Sequence, residues 1–150
     1  MPVYDELQMN GYLEGLGMSG PLIERIRDHV SEYKIAIGAS PEFLFVENPV
    51  TPLGSVEFSN LILLSGKTYM EFSLNQPSRT ITFINMARHI NRIVIPTIQQ
   101  ATFGEITERS RLTVQIYNDL QVIGFFMASG ANCGDLLEMV KRYFIPAVAQ

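Results

Sequence analysis

The chain has little that forms covalent cross-links or metal sites, since its 150 residues include one cysteine and two histidines. A single cysteine excludes an internal disulfide and a multi-thiolate metal site, and it favours a reducing compartment. Cys133, His29 and His89 are widely separated and lack the spacing of metal ligands. We therefore expect no metal and no cofactor, and we assign both histidines a surface or capping role.

Charged side chains are also scarce, at 17% against about 25% in an average globular protein. The 11 Lys and Arg residues against 15 Asp and Glu residues give a net charge of −4, which disfavours nucleic acid and anionic lipid as partners. No apolar run reaches the roughly 18 residues of a membrane span, and residues 1–9 lack the features of a signal peptide. We expect a cytoplasmic location.

Hydrophobic residues, in contrast, make up 47% of the chain, which excludes disorder for most of it. A low charge fraction with a high apolar fraction predicts that apolar surface pairs with a partner or with a second copy in a homodimer. The length fits one domain over residues 20–150. Residues 1–19 contain three glycines and are predicted to be a mobile arm with apolar anchors.

The pattern changes from helical to strand-like along the first half of the chain. Pro21 and the apolar spacing that follows it predict a helix over residues 21–33. Ser65-Gly66-Lys67 is typical of a tight hairpin turn. The strands predicted in this half are 34–38, 42–47, 55–64 and 67–74, with Met70, Phe72 and Leu74 on one face of the last and Tyr69, Glu71 and Ser73 on the other.

Residues 78–101 predict a long amphipathic helix, because seven apolar side chains fall on one helical stripe. We place its helical part at 80–95, since Pro96 removes a backbone hydrogen bond and kinks or ends a helix. The β-branched residues before Pro96 leave one competing interpretation open. In that interpretation residues 93–98 form a strand.

The remaining chain predicts a hairpin and a last helix. Leu112, Val114 and Ile116 alternate with polar neighbours, Asn118-Asp119 makes the turn, and 122–127 forms the second strand. Asp135 begins a helix that Pro146 ends. The predicted fold is α+β, an antiparallel sheet packed with helices in the order α, three or four β, α, β, β, α.

Catalytic chemistry has one candidate residue. Cys133 lies near the predicted start of the last helix, where the helix dipole can lower the pKa of a thiol. No histidine is close to it in sequence, and a small residue in a tight turn is the simpler interpretation. We predict a protein that is not an enzyme, with a cysteine-dependent enzyme as an alternative.

The element order carries a resemblance. With Phe103-Gly104 after the long helix and with Asn85 and Asn91 within it, residues 20–145 resemble YbjN-like proteins and the related type III secretion chaperones. That resemblance implies a usually dimeric α+β protein that binds an extended client segment and has no catalytic centre. A pleckstrin-homology-like binding module is the alternative, with strands at 93–98, 103–109, 112–117 and 121–128 and a closing helix at 133–145.

The predicted function is a protein-binding chaperone or assembly adaptor that holds a client peptide against its sheet and the long helix. Residues 122–127 offer a strand for backbone pairing with an extended client. The candidate client-binding residues are Phe125, Met127, Leu112, Val114 and Ile90.

Overall fold

The computed structural model has helices before and after two antiparallel sheets, so the predicted α+β class is confirmed. The structure describes residues 5, 7–50, 54–55, 57–66, 68–74, 81–85, 92–94, 98–99 and 110–148. The helices are α1 (Met9–Gly15), α2 (Gly20–Ile37), α3 (Asn132–Met139) and α4 (Ile145–Val148), with a π-helical segment Val140–Phe144 between the last two. The strands are β1 (Phe43–Val46), β2 (Asn60–Ser65), β3 (Thr68–Ser73), β4 (Ile81–Asn85), β5 (Arg92–Val94), β6 (Ile98–Gln99), β7 (Arg111–Asn118) and β8 (Gln121–Ser129).

Helix α2 confirms the helix predicted over 21–33 and extends beyond it. Pro21 lies in its first turn, where the missing N–H costs no helical hydrogen bond. The strand predicted over 34–38 is wrong, because the helix continues to its end at Gly38. Gly38 adopts a φ of +86° and donates its N–H to the Lys34 carbonyl at 2.8 Å. A glycine in the left-handed conformation is a common helix C-terminus.

The predicted mobile arm contains α1, which lies against the rest of the fold. Met9 and Leu13 are buried, and the hydroxyl of Tyr12 donates to Asp135 Oδ2 at 2.6 Å. Arg27 Nε in α2 donates to Asn10 Oδ1 at 3.0 Å. These contacts join α1 to α2 and α3, and they make the arm part of the folded domain over residues 9–15.

The first sheet is an antiparallel meander in the order β1-β2-β3-β4. The strands predicted at 42–47 and 67–74 are confirmed, and β2 begins at Asn60, later than the predicted 55. Ser65 pairs with Thr68 across the predicted hairpin, with Gly66 at a φ of +55°. The predicted assignment of the β3 side chains to two faces is also confirmed, since Phe72 and Tyr69 pack into the core on opposite sides of this sheet.

The helix predicted over 80–95 is wrong. Residues 81–85 form β4, which pairs antiparallel with β3 from Phe72↔Ile81 to Thr68↔Asn85. Residues 92–94 form β5, so the strand interpretation of 93–98 agrees with the structure at Ile93, Val94 and Ile98. Tertiary pairing with β3 outweighs the helical spacing, and the β-branched residues of β4 favour a strand. Pro96 lies outside the described residues.

The second sheet is built around β7. On one side, β5 pairs with residues 115–117 of β7 and β6 pairs with residues 111–112. On the other side lies β8, so the predicted hairpin is confirmed. Asp119 occupies its turn with a φ of +53°, a conformation that Asp tolerates better than most residues.

The C-terminal helical segment starts earlier and ends later than predicted. It begins at Asn132 instead of Asp135, and it continues past Pro146 to Val148. Pro146 has no N–H to donate to the carbonyl four residues before it, and the wider π-helical turn of 140–144 directly precedes this point. A change of helical pitch therefore accompanies the proline.

The core has two parts, one on each face of the first sheet. One face packs against α1 and α2, and the other packs against the second sheet and the C-terminal helical segment. Tyr69, Phe126 and Phe144 meet between the sheets with ring centroids 5.6–6.0 Å apart. Such aromatic contacts add about 0.5–1.5 kcal/mol per pair to the burial of their area. These ring contacts help to hold the two sheets against each other at this point.

Candidate functional site

The structure divides the predicted client-binding residues into three groups. Phe125 is 43% exposed and Met127 is half-buried, and both lie on the face of β8 that turns away from the core. Leu112 and Val114 are fully buried in the core between the sheets, so a ligand does not reach them in this conformation. Ile90 lies outside the described residues. Of the five, Phe125 is the most accessible, and Val122 beside it is 45% exposed.

Strand β8 is the outermost strand of the second sheet, because its only described partner is β7. The backbone N–H groups of Met127 and Ser129 point away from β7 and donate to side chains outside the sheet. Main-chain groups alternate in direction along a paired strand, so the N–H of Phe125 also points outwards. That N–H has no acceptor among the described residues, and it lies next to the exposed Val122 and Phe125 side chains.

Two side chains from the end of β1 close the other half of this edge. Glu47 Oε2 accepts the N–H of Met127 at 2.8 Å, and Asn48 Oδ1 accepts the N–H of Ser129 at 3.0 Å. The Ser129 hydroxyl donates to the Asn48 carbonyl at 2.6 Å. We call Glu47 and Asn48 the edge cap, since they take the place of a neighbouring strand at these positions.

Glu47 is a buried carboxyl group, with 1% of its surface exposed. Burial raises its pKa to about 7, against the opposing effect of hydrogen bonds from Asn60 and Met127. Asn60 Nδ2 donates to Glu47 Oε1 at 2.7 Å. Glu71, whose own pKa is raised by burial, adds a like charge that raises the pKa of Glu47 further. This part of the edge cap therefore changes its protonation near neutral pH.

Asn132 connects the edge cap to the start of α3. Its Nδ2 donates to the Val46 carbonyl at 2.6 Å and to Asn48 Oδ1 at 2.9 Å, and the residue is 2% exposed. Both hydrogens of the amide nitrogen are used, whereas Oδ1 has no donor in the described part of the chain. The first sheet, β8 and α3 are thus joined by one buried polar network.

A cavity of about 330 Å³ opens beside this network. Its polar lining consists of Asn48, Arg111, Ser129 and Asn132, and the end of α1 contributes Gly15 and the following residue, Leu16. The Arg111 Nη1 donates to the Ser110 carbonyl at 2.9 Å. The cavity can accommodate water or a small polar molecule, and its walls are held by hydrogen bonds within the protein.

Cys133 lies in the first turn of α3 and is completely buried among core residues. Burial raises the pKa of its thiol, and nearby Arg111 opposes that shift only in part. A buried thiol with a raised pKa carries little thiolate at neutral pH, so its position does not favour nucleophilic attack. Within the described ranges, no group of three or more His, Cys, Asp or Glu side chains is placed to hold a metal ion.

A β-bulge lies within the open half of the β8 edge, between Phe125 and the hairpin turn. Gly124 pairs with Ile116 while Val122 pairs with Tyr117, which leaves Ile123 as the extra residue. A Cβ on Gly124 would lie 2.6 Å from Cγ1 and Cδ1 of Ile116. Glycine is needed here because the backbone approaches the Ile116 side chain too closely for any other residue.

Of the two histidines, the structure describes His29. His29 is buried in α2 and stacks on Phe72 with ring centroids 4.5 Å apart, so the predicted surface role is wrong. His89 lies outside the described residues.

Comparison of the chain with models of known protein families, with curated proteins and with solved structures finds no match. Within the part of the chain that the structure describes, no helix has both the length and the apolar character to cross a membrane.

Sequence reasoning did not identify the edge cap or Asn132. Asn48-Pro49 indicated only a turn, and Glu47 adjoins a strand like many ordinary polar residues. Their hydrogen-bond partners lie about 80 residues away along the chain, at separations of 80 and 81 for the two main-chain donors. Only the fold brings them together.

Proposed function

We propose that the chain is a non-enzymatic protein-binding adaptor or chaperone that holds an extended client segment along residues 121–125 of β8. One observation carries this proposal. Val122 and Phe125 are 45% and 43% exposed on the outermost strand, beside an outward N–H of Phe125 that has no described acceptor. An unpaired strand edge with exposed apolar side chains is the usual surface for adding a strand.

The energetic support comes from two sources. A client backbone that accepts the Phe125 N–H supplies a hydrogen bond worth about 0.5–1.5 kcal/mol. Covering the exposed parts of Val122 and Phe125 adds apolar burial at roughly 25 cal/mol per Å². Together these favour a weak and reversible complex, as an adaptor or chaperone requires to release its client.

The surroundings of Cys133 support a non-enzymatic function over the cysteine-dependent alternative. The thiol is buried, its pKa is raised, and no described histidine lies beside it. The net charge of −4 agrees with a protein client, and the single cysteine agrees with a cytoplasmic location, which we retain as part of the proposal.

A pleckstrin-homology-like module remains a second candidate, favoured by the strands at β4 and β5 where a helix was predicted. A four-stranded meander, a second antiparallel sheet and a closing helix follow each other in this chain. The chaperone-like family, in contrast, resembles this chain only through an order that includes a helix over 80–95, where the described residues form strands. Both candidates bind a partner without catalysis, so the client segment on β8 is common to them.

Selection from a displayed library of random 12-residue peptides tests the proposal. We expect enriched peptides to be apolar and extended, and Phe125→Ala to weaken their binding at least fivefold. Ile35→Ala is the matched control, since Ile35 is an exposed apolar residue on α2. Equal binding by wild type and Phe125→Ala would contradict the proposal, and so would a failure to enrich any peptide.

Light scattering separates a client from a second copy of the chain as the occupant of this edge. The proposal expects Phe125→Ala to leave the mass unchanged, whether the chain is a monomer of 16.9 kDa or the predicted homodimer, because the edge is free for a client in either case. A dimer that Phe125→Ala dissociates would instead assign the edge to self-association and would overturn the client proposal.

A further inference from the structure

The outward N–H groups of β8 fall into two sets. That of Phe125 has no acceptor among the described residues, whereas those of Met127 and Ser129 are bound by the edge cap. The boundary between an open and a closed edge therefore lies between Phe125 and Met127. The hairpin turn at Asp119 and Leu120 limits the open edge at its other end.

The edge cap is held in place independently of β8. The N–H of Glu47 donates to the Asn60 carbonyl at 2.9 Å, and the Glu47 carbonyl accepts the N–H of Ser59 at 3.2 Å. Asn60 Nδ2 fixes the Glu47 carboxyl group, and Asn132 Nδ2 fixes the Asn48 amide. Glu47 is anchored through its main chain and its side chain, and Asn48 through its side chain, so neither side chain is free to turn away when another strand approaches.

We infer that the edge cap sets the length and register of the segment that binds β8. This inference rests on the proposed function and names the kind of partner that the edge takes. The segment lies along residues 121–125, bonds the Phe125 N–H, and must end or turn away before Met127. A longer strand is excluded, because it would have to displace the Glu47 and Asn48 side chains from N–H groups that they already satisfy.

The bulge at Ile123 restricts the partner further. A bulge increases the local twist and interrupts the regular spacing of main-chain groups, so a long regular ladder does not continue across it. The partner is consequently a short extended segment whose apolar side chains lie against Val122 and Phe125, and not the edge of a long flat sheet.

Amide hydrogen exchange tests this inference in two steps. In the free protein, we expect the Met127 and Ser129 amides to exchange at least tenfold more slowly than the Phe125 amide. On addition of a 12-residue peptide selected on the wild-type protein, the Phe125 amide slows at least fivefold, while those of Met127 and Ser129 change by less than twofold. Equal rates at all three positions in the free protein would contradict the edge cap itself.

Substitutions at Glu47 should move the boundary between the open and the closed part of the β8 edge. Glu47→Ala removes the acceptor for Met127, so we expect bound peptide to slow the Met127 amide as well as that of Phe125. Glu47→Gln is the matched control, because it retains a side-chain oxygen and should keep the wild-type boundary. If Glu47→Ala does not fold, the wild-type exchange pattern decides the question alone.

The outcomes separate the two proposals. If a peptide slows the Phe125 amide and also alters that of Met127 or Ser129 in the wild-type protein, the edge cap does not set the register, and the proposed function stands. If no selected peptide slows the Phe125 amide, both proposals fail.

Discussion

The carboxyl group of Glu47 accepts the backbone N–H of Met127 at 2.8 Å, across 80 residues of sequence. This bond joins the end of β1 in the first sheet to the outermost strand of the second. The same carboxyl group is almost completely buried and has a pKa raised to about 7. Stability and the closure of the β8 edge therefore depend on one titrating residue.

That dependence predicts how the free energy of unfolding varies with pH. The pKa of Glu47 is higher in the folded chain than its ordinary value of 4.5, so the folded state holds the proton more tightly. The stabilisation that this group contributes is complete below about pH 4.5. It is lost as the pH rises through 7, by on the order of 3 kcal/mol. Urea unfolding from pH 5 to 8 should show this decline in the wild type and a flatter profile in Glu47→Gln.

Glu71 is the necessary control for that experiment, because its pKa is also raised by burial and its contribution has the same sign. Glu71→Gln should remove its own part of the decline and reduce the part due to Glu47, because the charge of Glu71 contributes to the raised pKa of Glu47. A Glu47→Gln profile as steep as that of the wild type would show that Glu47 has an ordinary pKa.

Gly124→Ala should destabilise the protein by about 1–3 kcal/mol, since the new Cβ would lie 2.6 Å from two carbons of Ile116. Gly11→Ala is the control within a helix. A Cβ at Gly11 meets nothing within 4 Å, and alanine in α1 should stabilise by about 0.5–1 kcal/mol. Thermal unfolding of both variants measures the difference, and a Gly124→Ala variant as stable as the wild type would contradict the close approach at the bulge.

Asn132→Ala should cost about 2–3 kcal/mol, because it leaves the Val46 carbonyl and Asn48 Oδ1 without their shared donor. Asn132→Asp should cost more at pH 7, since a carboxylate would replace the donor and face two acceptor oxygens. Chemical denaturation of the pair gives the order of stability. If the Asn132→Asp variant were more stable than the Asn132→Ala variant, the assignment of Asn132 Nδ2 as the shared donor would be wrong.

Cys133 should react slowly with a thiol reagent in the folded protein and rapidly in denaturant. The side chain is fully buried, and its pKa is raised by that burial. Reaction with a chromogenic disulfide at pH 7 measures both rates, and Leu136→Ala, which loosens the same core, should accelerate the native one. If Cys133 reacted as fast in the folded protein as in the unfolded chain, a cysteine-dependent enzyme would again be a candidate function.

Local signals in the sequence were sufficient to predict the two hairpins. Ser65-Gly66-Lys67 and Asn118-Asp119 contain residues that tolerate positive φ, and β7 before the second turn alternates apolar and polar side chains. The fold class follows from such signals, because each depends on neighbours within a few residues.

The 80–95 segment shows where that reasoning fails. Its apolar spacing fits a helical stripe, but Ile81, Thr82 and Ile84 are β-branched, and β4 completes the ladder beside β3. Pairing with a distant strand was not visible in the local pattern. The edge cap was hidden for the same reason, since a buried Glu47 cannot be recognised before the fold places Met127 beside it.

The central claim is that a client segment pairs with the backbone of β8 at Phe125. The most direct measurement compares the affinity of a selected peptide for Phe125→Ala, which removes the side chain, and Phe125→Pro, which also removes the outward N–H. Because this N–H does not take part in the ladder with β7, proline is tolerated here as on other edge strands. We predict at least tenfold weaker binding to Phe125→Pro than to Phe125→Ala, with both variants folded. Equal affinity for the two variants would contradict backbone pairing at this edge.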